Sequence, residues 1–437
     1  MFKVLDMIEN LKELERVANE IKEKINNYSG YIKIITHHDT DGLSSGGIVA
    51  KTLLRNNKLF HISVVEHLSD KVIEKLHPNC LYIFCDMGSG QLDKILQKDE
   101  NINAIILDHH PPSIYEEKIN NIIQLNPHLY GIDGSKEATA SSICYLLARA
   151  YNFYDLAGLA IVGMIGDMQY NPFLGLNKFI VNEAREHKII KIFKDIIYNV
   201  YGVELYKAIA YCTKPYIETL SSENKAYKFL NELKINPEKT EMDESEKKRF
   251  LAQIAFKFPD IDKLMIDRII INHKVQDAFL LSEILNSVGR FGKFGVGIGI
   301  TLEDDKCIEI GKELLWKYKK ELVSEIKRIT LKDLKHIKYF EGKKGYIGVI
   351  ASILATEKPV VGYYIEDDIA KFSARGNKEL VERGLDLNKV MAIAKEFSGN
   401  GGGHNIAAGA TIKKEYIQDF LKRIDELVGE QLKGEKK

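Results

Sequence analysis

Three short apolar runs near the start of the chain each end abruptly in aspartate or histidine. They occupy residues 31–36, 81–85 and 104–107, and helical sequence patterns separate most of them. Apolar runs that alternate with helices are typical of a parallel sheet covered by helices on both faces. The carboxyl ends of such strands meet at one edge of the sheet, where these proteins form their functional crevice. We therefore predict an α/β domain with its site at that edge.

The polar residues at this edge are of the kinds that bind metal ions. The first run leads into His37, Asp39 and Asp41, the second into Asp86, and the third into residues 108–110, which are Asp-His-His. If the chain stays extended after the first run, the side chains of His37, Asp39 and Asp41 point to one side, since side chains alternate along a strand. Burying carboxylates without compensation is costly. A divalent cation would compensate them, so the pattern indicates a metal site.

The overall composition excludes a strongly basic protein. The 437 residues include 62 Lys and Arg against 62 Asp and Glu. No global positive field therefore attracts nucleic acid, although a local basic groove is compatible with this balance. The five cysteines contain no Cys-x-x-Cys pair, which is typical of reduced thiols in the cytoplasm. The chain shows no signal peptide and no apolar run of membrane-spanning length, so we expect a cytoplasmic protein without membrane contact.

Changes in the sequence pattern divide the chain into three predicted regions. Residues 1–180 form the α/β domain with an N-terminal helix, residues 181–276 form a charged helical connector, and residues 277–437 form a smaller C-terminal α/β domain. We expect the active-site cleft between the two α/β domains. The connector is typical of a solvated helical region, and a partner-binding module is the alternative.

The motifs and their order resemble those of the DHH phosphoesterase family. The first family motif, His-x-Asp-x-Asp-Gly, matches residues 37–42, and the triplet that names the family matches residues 108–110. The second motif, an acid after a strand, matches Asp86. The fourth, an acid after a helix, matches Asp167. Several spaced motifs in the right order make this resemblance more specific than any one of them.

The C-terminal region resembles the DHHA1 domain that accompanies many DHH domains. Its Gly-Gly-Gly-His motif matches residues 401–404, and its Ser-x-Arg strand matches residues 373–375. The layout is most similar to archaeal RecJ-like exonucleases, including the GINS-associated nuclease type. A related replication factor, Cdc45, has lost much of its metal site, whereas this sequence keeps every ligand position. The resemblance therefore implies an active enzyme.

The resemblance also implies two bound divalent cations, preferably Mn²⁺, with Mg²⁺ or Co²⁺ as alternatives. The implied ligands are His37, Asp39 and Asp86 for one ion, and Asp41, Asp86, His109 and Asp167 for the other. Mixed imidazole and carboxylate ligands suit Mn²⁺. Two such ions can activate a water and stabilise a leaving oxygen. The implied catalytic residues are His110, which would contact the scissile phosphate, and Asp108, which would orient an imidazole.

The resemblance assigns substrate binding to the C-terminal domain. The implied substrate-binding residues are Ser373, Arg375, Gly401, Gly402, Gly403 and His404. Arg375 would bind a phosphate through its guanidinium fork, and the glycine amides would approach phosphate oxygens because no Cβ blocks them. Outside this context Asp167 would be an ordinary helix cap, the glycines a flexible turn and Arg375 a surface cation.

These features together predict a two-metal phosphodiesterase. We expect a single-strand-specific exonuclease that acts on DNA, with RNA as a further substrate, in DNA replication or repair. The expected partners are single-stranded nucleic acid and GINS or other replisome components. One alternative is an oligoribonuclease or cyclic-dinucleotide phosphodiesterase of the same family. The other is a GINS-binding replication scaffold with secondary nuclease activity.

Overall fold

The computed structural model describes residues 2–256, 258 and 260–433. The α-helices of this part of the chain, in chain order, are α1 (Phe2–Asn27), α2 (Thr40–Arg55), α3 (Asp70–Ile73), α4 (Leu92–Lys98), α5 (Ala140–Ala150), α6 (Ala157–Gly166), α7 (Gly175–Glu186), α8 (Leu205–Ala210), α9 (Glu223–Glu232), α10 (Glu244–Ile254), α11 (Ala278–Arg290), α12 (Phe294–Thr301), α13 (Asp305–Arg328), α14 (Ile347–Leu354), α15 (Lys378–Glu382), α16 (Leu387–Ala392) and α17 (Ile417–Lys433). The strands are β1 (Tyr31–His37), β2 (Phe60–Val65), β3 (Cys80–Cys85), β4 (Asn103–Leu107), β5 (Lys118–Ile119), β6 (Ile122–Leu125), β7 (Ile190–Ile196), β8 (Met265–Ile271), β9 (Lys332–Asp333), β10 (Lys338–Glu341), β11 (Val360–Glu366), β12 (Ile369–Arg375), β13 (Asn400–Gly403) and β14 (Ala407–Lys413). Among these described helices, none combines the length and the apolar character that a bilayer-crossing segment needs.

The chain divides into two compact units, which we call unit 1 and unit 2. Unit 1 comprises residues 1–203 and 265–316, and unit 2 comprises residues 204–264 and 317–437. Residues 277–316, which the sequence analysis placed in the C-terminal domain, thus belong to unit 1. There α11 and α12 pack against α2 and α6. The sequence pattern did not reveal this packing, because an apolar helix shows that it is buried but does not show which helices it packs against.

The predicted connector is mainly helical but also contains two strands that the sequence analysis missed. β7 and β8 pair along their whole length as an antiparallel ribbon. Exposed charged residues interrupt the isoleucines of both strands, Lys191 and Lys194 in β7 and Asp267 in β8, so neither reads as an apolar run. A ribbon that is solvated on much of its surface lacks the continuous hydrophobic pattern that identified the buried strands.

The sheet of unit 1 has the order β2-β1-β3-β4-β6-β5. All of its neighbouring strands pair in parallel except β5 with β6, which confirms the predicted parallel sheet. An apolar cluster that includes Ile35, Phe84 and Ile106 covers one face together with residues of α4. The strand order changes direction between β1 and β3, and the crevice of such a sheet opens at the carboxyl ends of these strands.

The register of this sheet determines which residues share its carboxyl edge. Thr36 pairs with Cys85, and Cys85 pairs with Leu107. The next residues along β1, β3 and β4 are therefore His37, Asp86 and Asp108. The three polar clusters of the sequence begin side by side.

Unit 2 contains a second sheet, with the order β13-β14-β12-β11-β10-β9. Its strands pair antiparallel apart from β10 and β11. Ala370, Phe372 and Ala374 of β12 face the core that α16 and α17 complete. The alternate residues of β12 are Lys371, Ser373 and Arg375, and they lie partly exposed on the opposite face. This face carries the predicted substrate-binding residues of the strand.

Candidate metal centre

The chain turns into a helix immediately after β1. The backbone of Asp39 forms the N-cap of α2, and its Oδ1 accepts a hydrogen bond from the Gly42 amide at 2.9 Å. Asp41 lies in the first turn of that helix. The expectation that His37, Asp39 and Asp41 alternate along an extended chain is therefore wrong. An aspartate at an N-cap satisfies a free amide and its charge is stabilised by the helix dipole, which favours the helical turn here.

A first donor group forms at the ends of β1 and β3 from His37, Asp39 and Asp86. Their ligand atoms lie within 4.8 Å of one another. His37 Nδ1 is 3.2 Å from Asp39 Oδ2 and 3.3 Å from Asp86 Oδ2. Asp86 is almost fully buried and adopts a left-handed backbone conformation, with φ of 60°, directly after β3. The strand end and this turn together aim its carboxylate at the crevice.

A second donor group forms next to the first from Asp41, His109 and Asp167. His109 Nε2 is 3.5 Å from Asp167 Oδ2 and 3.3 Å from Asp86 Oδ1. The two oxygens of Asp86 thus face different donor groups, Oδ2 the first and Oδ1 the second. Asp86 occupies the position between the groups that a bridging carboxylate requires.

Hydrogen bonds within unit 1 hold the second donor group in place. His109 Nδ1 donates to the Gly134 carbonyl at 2.7 Å, which leaves Nε2 directed at the carboxylates. Asp41 accepts from the Ala140 amide at 2.8 Å and from the Ser141 amide at 3.1 Å, both at the N-terminus of α5. The sequence pattern alone did not reveal these supporting groups. The residue that could have indicated them is Thr139, because a threonine before a helix predicts an N-cap and therefore free amides in the first turn of α5.

Gly163 of α6 leaves the space that Asp41 occupies. A Cβ atom at this position would lie 2.3 Å from Asp41 Oδ1 and 2.1 Å from Ser141 Oγ. Contacts this short require a shift of the neighbours, so a side chain here is incompatible with the observed carboxylate. Nothing in the sequence pattern distinguished Gly163 from other helical glycines.

Asp108 and His110 form a hydrogen-bonded pair beside the donor groups. Asp108 is fully buried, and its Oδ1 accepts from His110 Nδ1 at 2.8 Å while its Oδ2 accepts from the Ser89 amide at 3.0 Å. Burial alone would raise the pKa of Asp108, but the hydrogen bond and charge of His110 lower it below its ordinary value. The side chain of His110 is about half exposed. Asp108 thus orients an imidazole that is partly exposed.

The carboxylates of this centre repel one another. Burial and the nearby charge of Asp86 raise the pKa of Asp41 to about 7. Burial and the charge of Asp41 raise the pKa of Asp167 well above its ordinary value. Burial lowers the pKa of His37, but its hydrogen bonds to Asp39 and Asp86 prevail and raise it to about 10. In the absence of a cation, protons must neutralise part of this charge.

The donor residues fit divalent cations on three further grounds. Asp86 Oδ1 is a buried oxygen that accepts no hydrogen bond from the described residues. Asp167 caps the C-terminus of α6, where the helix dipole disfavours an anion and favours a cation. Four carboxylates and two imidazoles also make the mixed oxygen and nitrogen set that suits Mn²⁺ and similar ions.

Unit 2 positions Ser373 and Arg375 on the face of β12 opposite the core. A Cβ atom on Gly348 of α14 would lie 3.0 Å from Ser373 Oγ and from Arg375 Nη2, so this helix borders both side chains. Arg375 Nη1 donates to the Ala374 carbonyl at 2.8 Å. Among the described residues it forms no ion pair with a carboxylate, and partial burial lowers its pKa. A half-buried guanidinium without an acid partner is a favourable site for an anion such as phosphate.

The glycine-rich motif of unit 2 forms the edge strand β13. A Cβ atom on Gly401 would lie 1.9 Å from the Met391 carbonyl oxygen, so packing against α16 requires this glycine. The Gly403 amide donates to Asn388 Oδ1 at 2.9 Å, and that amide is therefore already engaged. His404 follows the strand and is exposed. The expectation that all three glycine amides are open to phosphate thus does not hold for Gly403.

The sequence matches two family models. The model of the DHH family N-terminal domain matches residues 31–164, and that of the DHHA1 domain matches residues 334–430. The chain is 64% identical over 433 residues to the uncharacterised protein MJ0831 of Methanocaldococcus jannaschii, which covers 98% of this chain and 100% of that protein. The chain belongs to the DHH family, and it carries the DHHA1 domain in its C-terminal part.

Three further matches, one of sequence and two of structure, are to RecJ and CDC45 proteins. The single-stranded-DNA-specific exonuclease RecJ of Bacillus subtilis is 28% identical over 174 residues, which is 36% of this chain and 22% of that protein. A structure of exonuclease RecJ bound to manganese matches with a TM-score of 0.55 and 18% identity, over 95% of this chain and 94% of that one. CDC45 from Entamoeba histolytica matches with a TM-score of 0.63 and 13% identity, over 95% and 99% of the two chains. These structural matches show a shared fold.

Proposed function

We propose that the chain is a two-metal-dependent phosphodiesterase that removes nucleotides from an end of single-stranded DNA, with RNA as a further substrate, in cytoplasmic replication or repair. The observation that carries this proposal is the position of Asp86. Its two oxygens face two separate donor groups, and the one nearer His109 accepts no hydrogen bond among the described residues. The similarity to RecJ, an exonuclease with a manganese-bound structure, supports the same reaction and the same preference for Mn²⁺.

The proposed ligands follow the two donor groups. One ion would be held by His37, Asp39 and Asp86, and the other by Asp41, Asp86, His109 and Asp167. When bound, such a pair of ions supplies an activated water and charge stabilisation for the leaving oxygen. The hydrogen bonds to Asp41 and His109 restrict both side chains to one orientation, which conserves the spacing of the ligands.

The remaining residues bind and orient the substrate. Asp108 holds the His110 ring so that its Nε2 can donate a hydrogen bond to an oxygen of the scissile phosphate. In unit 2, Arg375 and Ser373 would bind the phosphate of a terminal nucleotide, and His404 would add a donor. The backbone would come close to the same nucleotide at Gly401, Gly402 and Gly403. The Gly403 amide is not available to the nucleotide, because it donates to Asn388 Oδ1. Recognition of a terminal phosphate favours removal of nucleotides from an end.

An assay with end-labelled oligonucleotides tests the proposal. Single-stranded DNA and RNA, labelled at either end, are incubated with the protein and Mn²⁺, and a matched duplex serves as the comparison. We expect single mononucleotides to be released from single-stranded DNA by the wild type. The Asp86→Ala and His109→Ala variants should lose this activity, whereas Asp93→Ala, which removes an aspartate of α4 outside the centre, should keep it. Manganese-dependent cleavage by the Asp86→Ala variant would contradict the ligand assignment.

The similarity to CDC45 over nearly the whole of both chains favours a second candidate function, that of a GINS-binding replication scaffold. The two candidates differ in what the donor residues must do. A scaffold would bind GINS equally well with or without Asp86, and nuclease activity would be secondary. Pull-down of GINS by the wild type and by Asp86→Ala, measured beside the cleavage assay, separates these functions.

A further inference from the structure

A depression beside α14, on the face of the unit 2 sheet opposite the core, extends beyond the residues assigned to substrate. It has a volume of about 600 Å³. Its lining includes Lys371, Ser373, Tyr364, Asn400, Gly401 and Thr411. A Cβ atom on Gly409, in the floor, would meet only the Phe372 carbonyl oxygen within 4 Å, so the space above this glycine is open. Ser373 and Gly401 belong to the proposed nucleotide site, whereas the Tyr364 end has no assigned role.

The spacing along β12 matches a polymer with regularly repeated charges. Arg375, Ser373 and Lys371 alternate with buried residues, so all three lie on the same face of the sheet. Lys371 lies four positions from Arg375 along the strand, which corresponds to about 13 Å. A nucleic-acid strand carries one phosphate per nucleotide along its length. A strand that begins at Arg375 would therefore bring a later phosphate to Lys371.

The charge at this end of the depression is positive. Lys371 Nζ is 2.8 Å from Glu366 Oε2, and Lys344 contacts the other oxygen of the same carboxylate. The two lysines lower the pKa of Glu366 to about 2, so the carboxylate is ionised at neutral pH. The three side chains thus carry one net positive charge, which suits one phosphodiester group.

An aromatic ring lies beside this charge. The Tyr364 ring lines the depression, and Lys371 Nζ is 5.9 Å from its centre. The tyrosine is partly exposed, whereas the aromatic rings on the other face of the sheet, such as Phe372, are buried. Nucleic-acid bases stack on accessible aromatic rings without sequence preference, and a neighbouring cation contacts the adjoining phosphate.

We propose that this depression binds a nucleotide beyond the one held at Arg375, with the base on Tyr364 and its phosphate at Lys371. The inference rests on the proposed function and specifies its substrate class as a strand of several nucleotides. A mononucleotide held at Arg375 is too short to reach Lys371 as well.

Binding without cleavage gives the most direct test. The affinity of fluorescein-labelled dT15 is measured by fluorescence anisotropy in EDTA over a range of salt concentrations. We expect Tyr364→Ala to weaken binding about 5- to 100-fold and Tyr364→Phe to restore it. Lys371→Ala should reduce the slope of log Kd against log salt by about 0.7, as the loss of one phosphate contact predicts. Lys358→Ala, which removes a lysine paired with Asp333 at the far edge of the sheet, should change neither quantity.

A cleavage comparison separates binding of the polymer from damage to the catalytic centre. The substrates are dT15 and the 5′- and 3′-p-nitrophenyl esters of thymidine monophosphate, which occupy a single nucleotide site. The Tyr364→Ala/Lys371→Ala variant should lose kcat/KM for dT15 and keep it for the esters. Equal losses on both substrates, unchanged affinity for dT15 in the variants, or no binding of dT15 by the wild type would overturn the inference. If the wild type binds dT15 but cleaves no substrate, the proposed function fails, while the binding data still support a nucleotide site in the depression.

Discussion

Replacing Asp41 by asparagine is expected to stabilise the metal-free protein at pH 8. The pKa of Asp41 rises from its ordinary value of 3.8 to about 7, because burial and the charge of Asp86 disfavour the ionised form. Between pH 3.8 and pH 7 the folded state therefore keeps a proton that the unfolded state releases. The destabilisation of the fold by ionised Asp41 is absent below pH 4, grows as the pH rises to 7 and is complete at pH 8.

The size of the effect follows from two opposing contributions. Each pH unit of pKa change equals about 1.4 kcal/mol, so ionised Asp41 destabilises the fold by about 4 kcal/mol at pH 8. The two carboxylate oxygens accept from the Ala140 and Ser141 amides, and asparagine retains only one acceptor. The unsatisfied amide costs about 1–3 kcal/mol. The net gain is therefore about 1–3 kcal/mol, or several degrees in Tm for a unit of this size.

Calorimetric unfolding in EDTA at pH 8 and pH 5 measures this prediction. The gain should shrink toward pH 5, and excess Mn²⁺ at pH 8 should make the wild type the more stable protein. Asp277→Asn serves as the matched control, because Asp277 is also buried but pairs with Arg268 at 2.8 Å. Breaking that pair should destabilise unit 1 by about 3–5 kcal/mol. If Asp41→Asn proves less stable than the wild type at pH 8 in EDTA, the repulsion inferred for the centre is wrong.

Three further tests address individual contacts. Asp86→Ala should abolish both Mn²⁺ sites in a calorimetric titration, whereas Asp39→Ala should abolish one; equal stoichiometry in the two variants would contradict the shared position of Asp86. Gly163→Ala places a methyl group 2.3 Å from Asp41 Oδ1 and should lower stability by about 1–3 kcal/mol and weaken Mn²⁺ binding; unchanged affinity would show that the carboxylate tolerates displacement. Arg375→Lys keeps the charge but loses the guanidinium fork, so KM for single-stranded DNA should rise about tenfold at similar kcat; an equal fall in kcat would assign Arg375 to the chemical step instead.

The contacts that hold the metal ligands in place could not be predicted from the sequence. An extended chain would have pointed His37, Asp39 and Asp41 to one side, whereas the helix that begins after Asp39 places Asp41 in the second donor group. The amides of Ala140 and Ser141, which donate to Asp41, are far from it in sequence, and so is Gly163, which leaves space for its carboxylate. Contacts between residues about 100 positions apart depend on how helices pack, and local patterns carry no record of that packing.

The same division holds in unit 2. The sequence motif identified Arg375 and the glycines, because their residue types suit phosphate binding. The structure showed that the Gly403 amide is occupied by Asn388 and that Tyr364 and Lys371 share a depression with Ser373. Tyr364 and Lys371 lie on different strands, and only the antiparallel register of β11 with β12 makes them neighbours.

What the sequence determined by itself is the parallel sheet of unit 1 and the edge at which its candidate metal ligands lie. Buried parallel strands are continuous apolar runs, and the polar residues that follow them meet at one edge of the sheet. The local sequence pattern therefore indicates both the sheet and that edge. Tertiary structure decided which carboxylates face which donor group, where residues 277–316 pack, and which side chains of unit 2 share a depression. These depend on side-chain directions and helix packing between distant segments, which the order of residues along the chain does not display.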